Sequence, residues 1–324
     1  MDPLSNVLSL LKPKNYLSAG FEAAAPWAIQ FPDQQRAIKC VAVISGECWL
    51  SVEGAADGVW LQTGDFVLLP SGRPFLMASG REVEPVPASE IFDPSRPGRV
   101  TRLNDGDTFS SVSSRFGLES QHADLLLKAL PPIVVIRDQN GEAGLRWSVE
   151  RMMQEMREPQ PGGFLVLQHL AHMLLVQALR LHLADGAGSV GAGWLLALSD
   201  RQLSRAMSAI HDAPGRRWTL EALALVAGMS RSSFAERFRQ IVGMAPIDYL
   251  ARWRMLLACD RLENTDQPVS VIAPALGYES EAAFSTAFKR IIGCSPRRYA
   301  RDRDPDATPS SERDAVGARV SLAL

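Results

Sequence analysis

One pattern occurs twice in this chain, 50 residues apart, and it restricts the C-terminal half to a small set of folds. The first copy runs Leu220-Glu221-Ala222-Leu223-Ala224, Ala227-Gly228-Met229-Ser230, Arg231-Ser232-Ser233-Phe234-Ala235-Glu236-Arg237-Phe238 and Gly243-Met244-Ala245-Pro246. The second runs Val271-Ile272-Ala273, Leu276-Gly277-Tyr278-Glu279-Ser280, Glu281-Ala282-Ala283-Phe284-Ser285-Thr286-Ala287-Phe288 and Gly293-Cys294-Ser295-Pro296. The copies align without a gap. In each, an apolar helix stops at a glycine that can take positive φ, and a serine caps the next helix. Two phenylalanines at i and i+4 then bury one face of that second helix and leave the other free. This is a helix-turn-helix, expected over about 220–241 and again over about 269–292. Between the copies, Pro246 in a first helical turn opens Ile247 to about Leu262, long enough to hold the motifs at a fixed separation. Pro274 falls inside the first helix of the second copy; a start at Ser270 or Val271 would put it in the first turn, where a missing N–H costs little.

The whole chain, 324 residues, has room for two domains with cores of their own. With 46% apolar and 22% charged residues it is neither a disordered nor a fibrous chain. The net charge of −2 divides unevenly: Asp200 to Arg301 carries 15 Arg and Lys against 10 Asp and Glu, or +5, while the rest carries 19 against 26, or −7. The basic half is the part suited to phosphate.

Nothing at the N-terminus reads as a basic leader region. The best apolar run, Phe164 to Ala184, is interrupted by Gln168, His169, His172, Gln177 and Arg180, so no membrane span is expected and the chain reads as cytoplasmic. Cysteines at 40, 48, 259 and 294 form neither a disulfide framework nor a CxxC metal site, which suits a reducing compartment.

From about Trp27 to Ser114 the chain has the texture of short strands. Ile38 to Ile44 and Cys48 to Val52, around Ser45-Gly46-Glu47, read as a hairpin. Val59 to Gln62 and Phe66 to Leu69 follow, separated by Gly64-Asp65 and closed by Pro70-Ser71-Gly72-Arg73-Pro74, and this spacing predicts a small barrel or jelly roll. After Gln121 the texture is helical. Leu167, Leu170, Leu174, Ala178 and Leu181 form one apolar stripe, with Leu165, Val176, Leu179 and Leu183 opposite. A helix apolar on both sides needs two covers, its own barrel and a second subunit, so a homodimer is expected. The fold class is therefore α+β. Residues 1–185 make a β-barrel with a helical dimerisation segment, 186–199 a linker, 200–303 an all-α domain with two helix-turn-helix motifs, and 304–324 a disordered tail.

At Trp218-Thr219-Leu220, Gly228-Met229-Ser230, Gly243-Met244-Ala245-Pro246, Tyr249-Leu250, Arg252-Trp253-Arg254-Met255, Gly277-Tyr278-Glu279-Ser280, Phe284-Ser285-Thr286-Ala287-Phe288 and Gly293-Cys294-Ser295-Pro296-Arg297-Arg298-Tyr299, the chain resembles the AraC/XylS family of bacterial transcription regulators. The resemblance implies sequence-specific binding of double-stranded DNA, each second helix in a major groove and the two insertions about one turn apart. Its base-facing positions fall on Ser232, Ala235 and Glu236, and on Glu281, Ala282, Ala283, Ser285 and Thr286. Glu236 is suited to accept from cytosine N4, and Arg231, Arg237, Arg239, Lys289 and Arg290 to hold phosphate. The resemblance further implies a small-molecule effector of unknown identity and RNA polymerase as a partner.

Gly64-Asp65-Phe66-Val67-Leu68-Leu69-Pro70-Ser71-Gly72-Arg73-Pro74-Phe75 resembles the second cupin signature, whose last position is a metal-binding histidine; here it is Phe75. Gln35 to Ile44, where the first signature's His/His/Glu set is expected, holds none of those residues, and all five histidines lie at 122 or beyond. The barrel accordingly reads as a cupin-like sensor with no metal, no cofactor and no catalytic residue. Trp27, Trp49 and Phe75 are its candidate effector-pocket residues, with simple core packing the competing reading for both tryptophans. His169 and His172, three apart on a helix, have metal-compatible spacing but only Leu and Ala around them, and read as structural. Two alternatives stand beside the regulator: a cupin enzyme with a DNA-binding appendage, and a redox-sensing regulator using Cys40 and Cys48. In the hairpin register those two cysteines would lie about 13 Å apart along the strands, beyond disulfide reach.

Overall fold

The computed structural model describes residues 2–34, 37–93, 98–118, 130–137, 143–184 and 193–301. The proposed tail, 304–324, and residues 186–192 of the proposed linker lie outside the described residues. The chain forms two compact units: residues 1–212 with 219–246, and residues 213–218 with 247–324.

The first unit opens with α1 (Pro3–Leu11), capped by Asp2, whose carboxylate accepts from the Ser5 N–H at 2.9 Å. Among the described residues eleven strands follow: β1 (Lys14–Ala23), β2 (Ala28–Phe31), β3 (Ile38–Ser45), β4 (Glu47–Val52), β5 (Val59–Gln62), β6 (Phe66–Leu69), β7 (Phe75–Ala78), β8 (Val86–Pro87), β9 (Val100–Leu103), β10 (Phe109–Gly117) and β11 (Val134–Ile136). A short helix, α2 (Ala88–Ile91), precedes β9. The strands build a six-stranded sheet in the order β11-β6-β3-β10-β1-β9 and a five-stranded sheet in the order β5-β4-β7-β2-β8. Alternate residues of both sheets share one core: Phe21, Val41, Val43, Val67 and Phe109 from the first, Ile29, Cys48, Leu50, Leu61, Phe75 and Met77 from the second. A cupin-like, barrel-shaped sandwich is the result.

The expected hairpin is not formed, because β3 and β4 lie in different sheets. β3 is buried from Ile38 to Val43 on both faces, and both its edges are taken, by β10 and β6. β4 alternates buried and partly exposed residues, as suits a strand with one wet face. Gly46 makes the corner between them at φ 82°, and a Cβ there would stand 2.2 Å from the Thr108 carbonyl oxygen.

Two helices follow the sheets, α3 (Ala143–Arg157) and α4 (Gly163–Ala184). They pack on each other and against β1; α3 buries Leu145, Val149, Met152, Met153 and Met156. Glu22 ties the C-terminal end of α3 to the sheet by accepting from Arg157 Nη2 at 2.6 Å and Arg102 Nε at 2.7 Å. Of the stripe expected on α4, Leu167, Leu170, Leu174 and Ala178 are buried within the subunit, and so is Leu179 from the opposite side. Phe164 and Leu165 stay exposed, at 54% and 58%. The interrupting polar residues weaken α4 less than the sequence suggested. Gly163–Leu183, 21 residues at mean hydropathy 1.4, is long and apolar enough to cross a membrane by length and composition.

Residues 194–199, assigned above to the linker, are helical: α5 (Trp194–Ser199) buries Trp194, Leu195 and Ala197. It leads into α6 (Arg201–Asp212), and both precede the first helix-turn-helix, α7 (Leu220–Ala227) and α8 (Arg231–Val242). The second unit holds α9 (Pro246–Asn264), α10 (Val269–Ala275), α11 (Glu281–Ile292) and α12 (Pro296–Arg301) around Met255, Ala258, Ile272, Leu276, Phe284, Phe288 and Tyr299.

Candidate nucleic-acid interface

In the first motif, Thr219 caps α7 and Ser230 caps α8, each hydroxyl accepting from the N–H three residues on, at 3.1 Å and 3.2 Å. The glycine turn between them leaves α7 at Gly228, φ 69°. Phe234 and Phe238 are fully buried with ring centroids 5.6 Å apart, which fixes the rotation of α8 about its axis. The face turned away carries Ser232, Ala235, Glu236 and Arg239 at i, i+3, i+4 and i+7, all exposed except the half-buried Ala235. These side chains are the base-reading candidates plus one phosphate candidate, brought onto one stripe. Gln240 Nε2 donates to Glu236 Oε1 at 3.3 Å and holds that carboxylate along the helix.

The flanking arginines differ in what they already hold. Arg231 pairs with Glu221 of α7 at 3.0 Å, both side chains well exposed, a contact that water and salt weaken. Arg237 donates from Nε to one oxygen of Asp200 at 2.7 Å, and its Nη2 forms an ion pair with the same oxygen at 2.7 Å. Asp200 is itself the N-cap of α6, accepting from the Gln202 and Leu203 N–H groups at 2.9 Å and 3.0 Å. Burial pushes its carboxyl up, but those two N–H bonds and Arg237 outweigh it and hold the carboxyl below the ordinary range. Asp200 was missed from sequence, although an Asp directly before Arg201-Gln202-Leu203 is a cap signature.

The second motif repeats the capping. Ser280 accepts from the Ala283 N–H at 3.1 Å, and Phe284 and Phe288, fully buried, have centroids 5.7 Å apart. Glu281, Ala282, Ala283, Thr286, Lys289 and Arg290 are exposed and Ser285 is half-buried. The Thr286 hydroxyl donates back to the Ala282 carbonyl at 2.9 Å, leaving its lone pairs and methyl for a ligand.

Pro274 is not in a first turn. α10 starts at Val269, and Pro274 stands next to its last residue. Without an N–H it cannot continue the ladder, and the chain closes by one tighter and one wider bond: Gly277 N–H to the Pro274 carbonyl, three residues back, at 2.9 Å, and Tyr278 N–H to the Ala273 carbonyl, five back, at 3.0 Å. Gly277 is at φ 78°, and a Cβ there would meet the Gly215 carbonyl oxygen at 2.4 Å. Arg254 pins the same loop, donating to the Pro214 carbonyl at 2.7 Å and the Arg216 carbonyl at 2.9 Å, with its guanidinium 5.5 Å from the Tyr278 ring. Within the match around Arg252 to Met255, Arg254 thus positions the second motif's turn.

The three residues named for an effector pocket part company. Trp27 and Phe75 belong to the inner core, Trp27 packed on Phe21 at 5.2 Å and Phe109 at 4.9 Å, with no acceptor for its Nε1 among the described residues. Trp49 alternates to the outer face of β4, where the Arg81 guanidinium lies 3.9 Å over its ring and Trp60 meets it edge-on. A cavity of about 380 Å³ lies elsewhere, lined among others by Ala42, Phe66, Leu145, Val149 and Glu150. His172 is taken up by the Pro13 and Gln168 carbonyls at 2.6 Å and 2.8 Å, while His169 is exposed, so the pair does not converge.

Cys40 and Cys48 are unpaired thiols in different sheets; Cys48 faces the shared core, whereas Cys40, next to core-facing Val41, points to the opposite face of its sheet. Burial pushes both thiols up to about 12, so near neutral pH they hold their protons and are poor nucleophiles.

Comparison with known proteins accounts for both halves. A cupin family model matches residues 2–184, and a helix-turn-helix domain model matches residues 223–302. The HTH-type transcriptional regulator AlkR of Acinetobacter baylyi is 32% identical over 317 residues, covering 92% of this chain and 99% of AlkR. A Streptomyces lividans protein described as an AraC-like transcription regulator is 38% identical over 300 residues, covering 92% of this chain and 98% of its own. RclR, the RCS-specific HTH-type transcriptional activator of Escherichia coli, is 31% identical over 69% of this chain and 82% of its own. Among solved structures, the DNA-binding domain of AdpA in complex with a target DNA shares 34% identity over 31% of this chain and 94% of that one, with a TM-score of 0.30. The chain belongs to the AraC family of DNA-binding transcription regulators, with a cupin domain in its N-terminal part and a helix-turn-helix domain in its C-terminal part.

Proposed function

We propose that this regulator reads its operator with α8 and α11, works in the cytoplasm as a homodimer joined through its sensor, and responds to a small organic effector held by the sandwich, with no catalysis of its own. The observation that carries the reading is a helix, present twice, whose Phe pair and Ser cap fix one face and whose other face is exposed. Ser232, Ala235 and Glu236, and Glu281, Ala282, Ala283, Ser285 and Thr286, face the bases. Arg239, Lys289 and Arg290 hold phosphate, and Arg231 joins them when DNA outcompetes Glu221. Arg237 serves to brace α8 against Asp200. Against the enzyme alternative, the core-facing strand positions are mostly apolar, among them Val41, Val43, Leu50, Leu61 and Met77, and Phe75 stands where the resemblance puts a cupin metal ligand.

The second subunit is proposed to cover Phe164, Leu165 and Val166 at the start of α4, all exposed. Effector binding changes how the DNA-binding helices are presented only in so far as it favours one arrangement over another. At the promoter, RNA polymerase is the further partner. Affinity of the full chain for its selected operator, measured against salt, tests the DNA reading. A steep fall with salt is expected from released counterions, and a flat profile opposes it. Light scattering tests the dimer: Leu165→Glu should give monomers, and an intact dimer would move the interface elsewhere.

A further inference from the structure

At one end of the sandwich, charged side chains join the mostly apolar inner face. Lys39 of β3 stands opposite Arg115 of β10 and Leu69 of β6, and it shares its face with the core residue Val41. It is 7% exposed. Its Nζ donates to Ser113 Oγ at 3.0 Å and lies 5.8 Å from the centre of the Phe31 ring. Arg115 donates from Nη2 to the Gln34 carbonyl at 2.7 Å, while its Nε is shut off from solvent and has no acceptor among the described residues. Phe31 stacks on Phe75 at 4.4 Å and lies 5.8 Å from Phe92. An ammonium beside an aromatic ring thus stands across the strand pair from a guanidinium, and among the described residues no carboxylate pairs with either. Burial, reinforced by the neighbouring guanidinium, brings Lys39 down to about 8, so it still carries its proton at neutral pH. A buried ammonium beside a half-buried guanidinium opposes folding unless something negative shares the space.

We propose that this end of the barrel binds a small organic carboxylate, its oxygens between Lys39 Nζ and Arg115 Nε and its apolar or aromatic body on Phe31 and Phe75. The assignment rests on the reading of the sandwich as an effector-binding module and gives that effector a chemical class. Guanidinium and ammonium donors match a carboxylate, and the rings around them call for an apolar remainder that an inorganic anion lacks.

The test uses the full chain and measures melting temperature and calorimetric binding with phenylacetate and hexanoate, beside phenylacetamide, hexanol and inorganic phosphate. Both acids should bind and raise the melting temperature, and the neutral analogues should bind at least ~10-fold more weakly. Lys39→Met should melt above the parent without ligand, because it removes an uncompensated buried charge, and should lose at least ~10-fold in phenylacetate affinity. Arg115→Gln, which keeps Lys39, should lose affinity as well and guards against misfolding of the first variant. Equal binding of acids and neutral analogues overturns the proposal, as does phosphate binding as well as phenylacetate. A lowered melting temperature for Lys39→Met, with no response of the parent to either acid, overturns it too. That last result leaves the effector reading standing if operator affinity still responds to other small molecules.

Discussion

Arg237 and Asp200 are joined by a 2.7 Å hydrogen bond from the guanidinium Nε, with Nη2 also 2.7 Å from the same carboxylate oxygen, and that oxygen belongs to the side chain that caps α6. An arginine on α8 is thereby engaged within the protein. Arg237→Ala should lower stability by about 1–2 kcal/mol, because it leaves a mostly buried carboxylate short of a donor. It should leave base preference unchanged. Arg239→Ala should do the reverse: unchanged melting, weaker binding to every sequence, and a salt slope smaller by about 1. Melting curves and salt titrations of the two variants separate the roles, and equal loss of stability in both would contradict them.

Glu236 is the acidic member of the exposed stripe on α8. Glu236→Ala should relax or change the preference at one base pair, by about 1–3 kcal/mol of discrimination. Binding-site selection from random DNA reads this directly; unchanged preferences would remove Glu236 from the reading set.

Gly277 has neither the space nor the φ for a side chain. Gly277→Ala should loosen the turn between α10 and α11 and speed amide exchange in both helices, with weaker DNA binding as the consequence. Unchanged exchange would mean the loop from 213 to 218 yields at little cost.

His211 on α6 is buried, and burial, against a weak opposing pull from Asp2, brings its pKa down to about 3. Because the unfolded imidazole titrates near 6.5, protons favour the unfolded chain once the pH falls below that value. Stability should decline by about 1.4 kcal/mol per pH unit from pH 6 toward pH 4, above the range where carboxylates contribute most. His211→Gln should flatten that decline. Urea midpoints at pH 7.5, 6 and 5 check the slope, and a flat profile in the parent would contradict the buried, neutral imidazole.

Much of the DNA-binding half was legible because its signals are local. A glycine turn, a serine cap and a Phe pair follow one another at steps of at most four residues, and they recur at Phe284 as at Phe234. The sandwich was legible in class only. Ile38 to Ile44 and Cys48 to Val52 carry strand signals on either side of a glycine, but pairing depends on partners far along the chain, such as Ser114 opposite Cys40. The unbroken apolar run of β3 against the alternation of β4 was the sign that the two strands differ in surroundings. The same alternation sends Trp49 outward while its neighbour Cys48 points in. Pro274 misled because its cost was placed at a helix start, whereas a seven-residue helix lets it mark the end. The bond from Arg237 to Asp200 spans 37 residues and has no local signature at all.

Selection of binding sites from random double-stranded DNA by the full-length chain, repeated with Glu236→Ala and with Ala283→Arg, tests the central claim most directly. Two recognition helices predict a bipartite site whose halves are about one helical turn apart, with the first variant altering one half and the second altering the other. Enrichment of no sequence, or both variants changing the same half, would contradict reading of the operator by α8 and α11.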